Sequence, residues 1–521
     1  MYQYKLIEIL IDKFKLESNI SLISIVDYIK ILKNLDEYYK ILEEYKNPTE
    51  EEAYIIKVYS SKEAKIKQLL SQNFFSNIFL DIFLMLNNPY NVDAKTFDIF
   101  YDNRSLLVDI HQYVIKNYEK IISSDLHKFY NIDLINRWIK TIIHTPLTKE
   151  EYYELSKLSK EEKDIKWTKY NVIWPIYNRE CEKFKTYLYK LKTFYESKTI
   201  PIIGCFNISK KLYEHCLESN IGIKLNIPNL EKFALKKLDM LVSRMKGYIK
   251  KIDPSIDDKL NVNEMLKKIN YTQRFKSKKE FIDHHKTAIK KYEKLYLKDL
   301  NFCEFTKVNL VVFDNKHLGS AYYNDNNFYL NSAFYDEIYK YTTETLVLHE
   351  AIPGHHLQVH TTKYVNTENN LLYQYFPEIT NGFVEGWGLF CEKLGKDQTT
   401  WDLIGQTEYD MLRTLRVIVD IRIHYYGQTV DSIYEYMKNY LSILKEEVMT
   451  EIYRYVCLPG QAVSYKVGCE IYKAILKKNN IKYYLDDKSI EIYKKIIRNG
   501  SKPLKFLVEE YGINVGEIFS G

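Results

Sequence analysis

The residues with the clearest chemical potential lie in one stretch, Leu348-His349-Glu350-Ala351-Ile352-Pro353-Gly354-His355-His356-Leu357-Gln358-Val359-His360, which holds four of the chain's 12 histidines. A histidine followed at once by glutamate, with another histidine shortly after, is how two imidazoles hold zinc. The glutamate then acts as base on a water molecule that the metal acidifies. In the usual form the second histidine stands four residues after the first, on the same helix face and about 6 Å along the axis. Here that position is Pro353. On an unbroken helix His355 lies about 240° round from His349. His356 regains the right face only roughly 10.5 Å up the axis, too far to share one ion. Pro353 lacks an N–H and its ring clashes with the carbonyl of His349, while Gly354 opens backbone angles closed to other residues. The pair is therefore expected to kink or bulge the helix just after Glu350. If two extra residues are absorbed there, His355 becomes the second ligand. A histidine cluster without metal is the alternative, but the Pro-Gly break would then only cost stability, roughly 3 kcal/mol for the proline.

A catalytic zinc needs a third protein ligand and one position left for water. The segment Asn381-Gly-Phe-Val-Glu385-Gly-Trp-Gly-Leu-Phe-Cys-Glu392 offers two acids. Glu385 stands among Gly382, Gly386 and Gly388, which would let this helix approach the histidine helix closely. Glu392, two turns on along the same face, is suited to orient a ligand histidine or to replace Glu385 as the ligand. A solvated helix-face charge is the plain alternative for either acid, and it suits a setting of Gly, Trp and Phe poorly.

The elements that must position these groups are mostly helices. Ser18–Tyr45, Ala94–Lys140, Trp167–Glu196, Leu230–Ile252 and Tyr409–Glu446 carry apolar residues at helical spacing with Lys and Glu on the outer face. Breaks are expected at the charged Pro146–Lys166, read as a connection or surface hairpin, at Thr199–Gly204 and at Asp253–Asn263. Lys307–Asp314 and Asn327–Ser332 are β-branched or alternating and predict a small hairpin or a two- to three-stranded sheet just upstream of the histidines. The fold class is thus mainly α, a large helical protein with a small β element beside the zinc-site helix. The expected division is an N-terminal helical region, 1–165, and a helical catalytic region, 166–521, packed together.

Composition narrows the classes. With 75 Lys+Arg against 69 Asp+Glu, the net charge of +6 is small and spread, so no nucleic-acid partner is expected. The 17 Gly and 11 Pro are too few for a turn-rich all-β chain. The 48 tyrosines are scattered and ungrouped with arginine, which reflects compositional drift and no base-stacking platform. Seven cysteines without a CxxC pair read as reduced thiols in a cytoplasmic compartment. The N-terminus lacks signal-peptide features, and the apolar run Phe74–Leu86 is too short to span a bilayer, so no membrane association is expected.

The stretches TLVLHEAIPGHHLQ and GFVEGWGLFCE, in this order, resemble the bacterial domain-of-unknown-function 885 family, predicted zinc metallopeptidases of the gluzincin type. Leu415–His424 (LRVIVDIRIH), Gly460-Gln461-Ala-Val-Ser-Tyr465-Lys-Val-Gly468, and the upstream GSAYY and FYLNS segments are similar to it as well. The likeness extends from about residue 305 to 475. It implies a mostly helical peptidase with His349, His355 and Glu385 on Zn2+ and Glu350 as general base, and it favours His355 over His356. It also implies His424 and Tyr465 as stabilisers of the oxyanion. Arg416, or failing it Arg413 or Arg422, would pair with a substrate carboxylate through a bidentate contact, with Gln461 nearby in the pattern, although Arg416 and Asp420 also have the spacing of a simple i,i+4 bridge. Two departures stand out. Family members often carry EGWALY where this chain has Gly388 and Phe390, and Arg422 occupies a position usually small or polar, which bears on the size or charge of the pocket.

The function these observations imply is a cytoplasmic zinc peptidase acting on short peptides. A metal-dependent amidohydrolase on a non-peptide amide and an inactive relative kept as a scaffold are the other classes compatible with the same residues. Nothing in the sequence defines an oligomeric state.

Overall fold

The computed structural model describes residues 5–14, 34–70, isolated positions between 101 and 146, 148–155, 159–197, 208–299, 307–314, 320–365 without 325, 373, 376–442, 445–481, 485–498 and 500–520. The chain packs as two units, Tyr4–Asn207 and Ile208–Gly521. The boundary therefore falls well after the expected 165/166, because the 38-residue helix Lys160–Ser197 belongs with the N-terminal unit.

In that unit the charged stretch 146–166 is largely helical, not a connection. Thr148 and Glu151 exchange side-chain and backbone hydrogen bonds at 2.8 and 3.2 Å and open the helix Lys149–Leu155. Ser159 and Glu162 do the same at 3.0 and 3.3 Å for Lys160–Ser197. Each is a capping box, in which two orphan N–H groups of a first turn are satisfied reciprocally. Of the expected helix Ser18–Tyr45, Leu35–Glu44 is described. Phe74–Leu86, Thr199–Gly204 and most of Ala94–Lys140 lie outside the described residues.

The Ile208–Gly521 unit is mainly α. It is built on α1 (Lys210–Ile221), α2 (Ile227–Ile252), α3 (Thr343–Glu350), α4 (His355–Val365), α5 (Asn381–Cys391), α6 (Thr400–His424), α7 (Lys445–Cys457) and α8 (Ser464–Lys478). The expected single helix Tyr409–Glu446 is three: α6, Val430–Met437 and α7. Its apolar periodicity continues through the break, but Gly427 turns the chain at φ +70° and the Thr429 side chain caps the next helix. Among the described residues no helix is long and apolar enough to cross a membrane.

Two helix pairs form the core. α2 packs along α6, and α5 along α8. The second pair is unusually close, since a Cβ on Gly386 would lie 2.5 Å from Gly468 Cα and one on Gly468 would lie 1.9 Å from the Gly382 carbonyl oxygen. Of the three glycines around Glu385, Gly386 thus serves the approach of α8 and Gly382 that of Ile221 and Leu504, not that of the histidine helix.

Among the described residues the sheet has three strands, β1 (Asn309–Phe313), β2 (Ala321–Asn324) and β3 (Asn327–Asn331), in the order β1-β3-β2. The hairpin is β2–β3, with Tyr322 opposite Tyr329. β1 joins β3 in parallel, Val311 opposite Tyr329. The two segments predicted to be strands therefore do pair, although not as a hairpin.

Candidate metal centre

The histidine stretch forms two helices and no bulge. α3 ends at Glu350 with the Ala351 N–H on the Val347 carbonyl, and the Ile352–Pro353 peptide is cis. α4 then starts at His355, with His356 N–H donating to the Ala351 carbonyl and Gln358 N–H to that of Gly354. The turn folds back so tightly that a Cβ on Gly354 would sit 1.8 Å from the His349 carbonyl oxygen, so only glycine fits there. The Trp387 indole N–H of α5 donates to the Pro353 carbonyl at 2.9 Å and fastens the turn to the next helix. The result is the convergence that the spacing demanded: the rings of His349 and His355 lie edge to face, centroids 4.8 Å apart.

Glu385 on α5 completes the group. Its Oε2 is 3.6 Å from His349 Nε2 and 3.5 Å from His355 Nε2. One ligand atom from each of the three residues lies within 4.8 Å of the others, a set that could hold a metal ion. Glu392 takes the orienting position: the Nδ1–H of His349 donates to its Oε1 at 2.9 Å, which leaves Nε2 as the atom turned toward Glu385. Arg413 Nη2 stands 3.5 Å from the same oxygen. Gly388 makes the seat for His349, since a Cβ there would come within 2.8 Å of the imidazole. An alanine there would force the imidazole to shift by several tenths of an ångström.

The electrostatics suit a cation. Burial opposes charge on His349, yet its contacts with Glu385 and Glu392 and the nearby Glu350 charge raise its pKa to about 9. The Glu385 carboxyl is held well below its ordinary range against burial, by the same two imidazoles. Three carboxylates thus surround two imidazoles, an excess of negative charge that a divalent ion would balance. Two imidazoles and one carboxylate also match the donor set of catalytic zinc. Glu350 is half-buried at the end of α3.

The other two histidines of the cluster have a different task. The Tyr323 hydroxyl donates to His356 Nδ1 at 3.2 Å, and His360 Nδ1 donates to Asn326 Oδ1 at 3.3 Å. These contacts tie the β2–β3 hairpin to α4, so the sheet does lie beside the candidate metal helix.

Of the remaining sequence candidates, Tyr465 is at the site, its ring stacked on His349 with centroids 6.3 Å apart. Burial and then the Glu385 charge push its phenol pKa upward. Arg416 does not bridge to Asp420. Its Nη2 donates to Glu451 at 2.8 Å, its Nε to the Tyr455 hydroxyl at 3.0 Å, and its plane lies 4.9 Å from the Tyr465 ring centre. His424 commits Nε2 to the Tyr455 carbonyl at 2.9 Å and stacks on Tyr213. Gln461 lies in the turn before α8, where its carbonyl accepts from Ser464. Arg422 turns to Glu231 at 3.2 Å and to the Tyr436 ring, away from the role of narrowing a pocket. The sequence reading missed the group Glu451, Arg454 and Tyr455, for which EIYRY carries no signal beyond an i,i+3 charge pair.

Fold and group together define a helical protein with a candidate centre of two histidines and one carboxylate. The chain belongs to the family of bacterial proteins of unknown function DUF885, which matches residues 180–510. Among solved structures it is similar to a "putative lipoprotein of unknown function" from Shewanella oneidensis, with a TM-score of 0.63 and 14% identity, covering 98% of this chain and 99% of that one. It is also similar to a "putative lipoprotein" from Colwellia psychrerythraea, with a TM-score of 0.57 and 16% identity over 92% of this chain and 78% of that one. At such identities the likeness concerns the fold. Among curated proteins none matches this chain.

Proposed function

We propose that the protein is a zinc-dependent peptidase that hydrolyses peptide bonds of short peptides. The reading is carried by one observation: His349, His355 and Glu385 bring ligand atoms within 4.8 Å of one another, with Glu350 next in sequence to the first of them. Zinc bound there would acidify a water molecule and polarise the scissile carbonyl. Glu350 takes the proton of the attacking water and delivers it to the leaving amine. Tyr465, against His349, is the neighbouring phenol able to donate to the developing oxyanion. His424 is not assigned that role, because its Nε2 is already spent. The proposed compartment is the cytoplasm, on the ground that Cys181, Cys216, Cys391 and Cys469 are buried free thiols.

Metal analysis and a peptide digest of wild type and Glu350→Gln test the reading. We expect about one zinc per chain in both proteins and a loss of hydrolysis on the order of 10³-fold in the variant. A wild type without stoichiometric zinc, or a variant that cleaves at the full rate, refutes it.

A further inference from the structure

Two guanidiniums and one carboxylate meet where α6 and α7 face Tyr465. Glu451 Oε2 accepts from Arg416 Nη2 at 2.8 Å and from the Tyr455 hydroxyl at 2.7 Å, and Arg454 Nη2 lies 3.5 Å from it. Arg416 is engaged on every side: carboxylate, phenol and the face of Tyr465. Arg454 is not. Its Nε and Nη2 are buried, and neither has a hydrogen-bond partner among the described residues. The side chain as a whole nevertheless stays 34% exposed, so solvent reaches it.

One carboxylate therefore faces two permanent cations, and the group keeps a net positive charge. Leaving buried guanidinium N–H groups without an acceptor costs free energy that an incoming oxygen would recover. The cluster is also close to the chemistry, since Tyr465 lies between Arg416 and His349. The geometry of a guanidinium fork selects planar oxyanions, carboxylate above all in a peptide.

We propose that Arg454 binds a carboxylate of the substrate, so that the enzyme prefers peptides carrying a free C-terminus or an acidic side chain near the scissile bond. The inference rests on the peptidase reading above, and it moves the role expected of Arg416 to a residue 38 positions further along, because Glu451 and Tyr455 have already claimed Arg416.

Three mixed hexapeptide pools test it with the zinc-loaded full chain. The first lacks Asp and Glu and has free C-termini. The second is the same pool amidated. The third is amidated with one Glu per peptide. We expect the first or the third to be cleaved about 10- to 100-fold faster than the second. Preference for the first identifies the C-terminus as the source of the carboxylate, and preference for the third a side chain. Arg454→Gln should bring the ratio to within about twofold, chiefly by raising KM for the preferred pool, and Arg454→Lys should give an intermediate ratio because it keeps the charge without the fork. Equal cleavage of all three pools by the wild type, or a preference that survives Arg454→Gln, overturns this inference alone. No cleavage of any pool overturns the peptidase reading and this inference with it.

Discussion

Two places in the Ile208–Gly521 unit bury ionisable side chains in segments that look catalytic, and they use them in opposite ways. At the metal group, His349 gives Nδ1 to Glu392 and keeps Nε2 facing Glu385 and His355. At the corner of α1, α6 and the turn before α8, His424 gives Nε2 to the Tyr455 carbonyl, and Asp420 accepts from the Tyr213 hydroxyl at 2.6 Å and the Gly460 N–H at 3.0 Å. Both places displace acidities strongly. Burial pushes His424 down to about 4 and Asp420 up to about 7, whereas the surrounding carboxylates hold His349 near 9. A shifted pKa inside a motif therefore does not separate chemistry from architecture. What separates the two is the hydrogen-bond account: the first group has candidate ligand atoms converging on one point, and the second has committed His424 Nε2 and the Asp420 carboxylate to tying α6 to α1, α7 and the turn before α8.

That contrast is most easily broken by removing one histidine from each place. His355→Ala should abolish stoichiometric zinc binding while the chain stays folded. His424→Ala should keep its zinc and lose about 1 to 3 kcal/mol of stability, from the hydrogen bond and the contact with Tyr213. Metal analysis beside denaturant unfolding reads both, and a His424→Ala protein as metal-free as His355→Ala would erase the distinction. A smaller effect sharpens it. Glu392→Gln leaves all three ligands in place but weakens the acceptor that orients His349, so zinc affinity should fall about 10- to 100-fold in a chelator competition. Unchanged affinity would mean that Glu392 is structural only.

How far the site was legible follows from the same distinction. The convergence of His349 and His355 could be read because proline at the usual second-ligand position forces a break, and only a break brings the two residues together. That the break makes two helices and no bulge depends on the contact of Gly354 with the His349 carbonyl oxygen, which spacing does not encode. Glu385 and Glu392 share one helix face, so only the tertiary position of His349 shows which acid joins the candidate ligand group and which one receives Nδ1. Arg416 and His424 were tied to chemistry by their motif, and their actual partners, Glu451 and Tyr455, lie more than a full helix away in sequence. The helical fold was legible from periodicity, whereas the joint at 425–429 rests on a left-handed glycine and a cap that carry little periodic signal, and those at 148 and 159 show only as Ser/Thr-x-x-Glu capping patterns, which periodicity does not register.

The corner group makes a further prediction, one the metal group should not share. Asp420 has a folded pKa raised to about 7, against an ordinary value of 3.8 when exposed, because burial disfavours its charge more than Tyr213 and Gly460 support it. The folded chain thus holds this proton more tightly than the unfolded chain does. Its contribution to stability is complete below the unfolded pKa and is lost as pH rises toward about 7. Across that window the group alone should lower stability by up to about 1.4 kcal/mol per pH unit. Asp420→Asn keeps an acceptor for both donors and does not titrate, so its stability relative to wild type should rise between pH 5 and pH 7 and then level off. Urea unfolding of both proteins with chelator present, which excludes any contribution from bound metal, measures the difference. If the two stability profiles run parallel throughout, Asp420 is ionised in the folded chain, and the two hydrogen-bond donors around it, Tyr213 and Gly460, not burial, govern its charge.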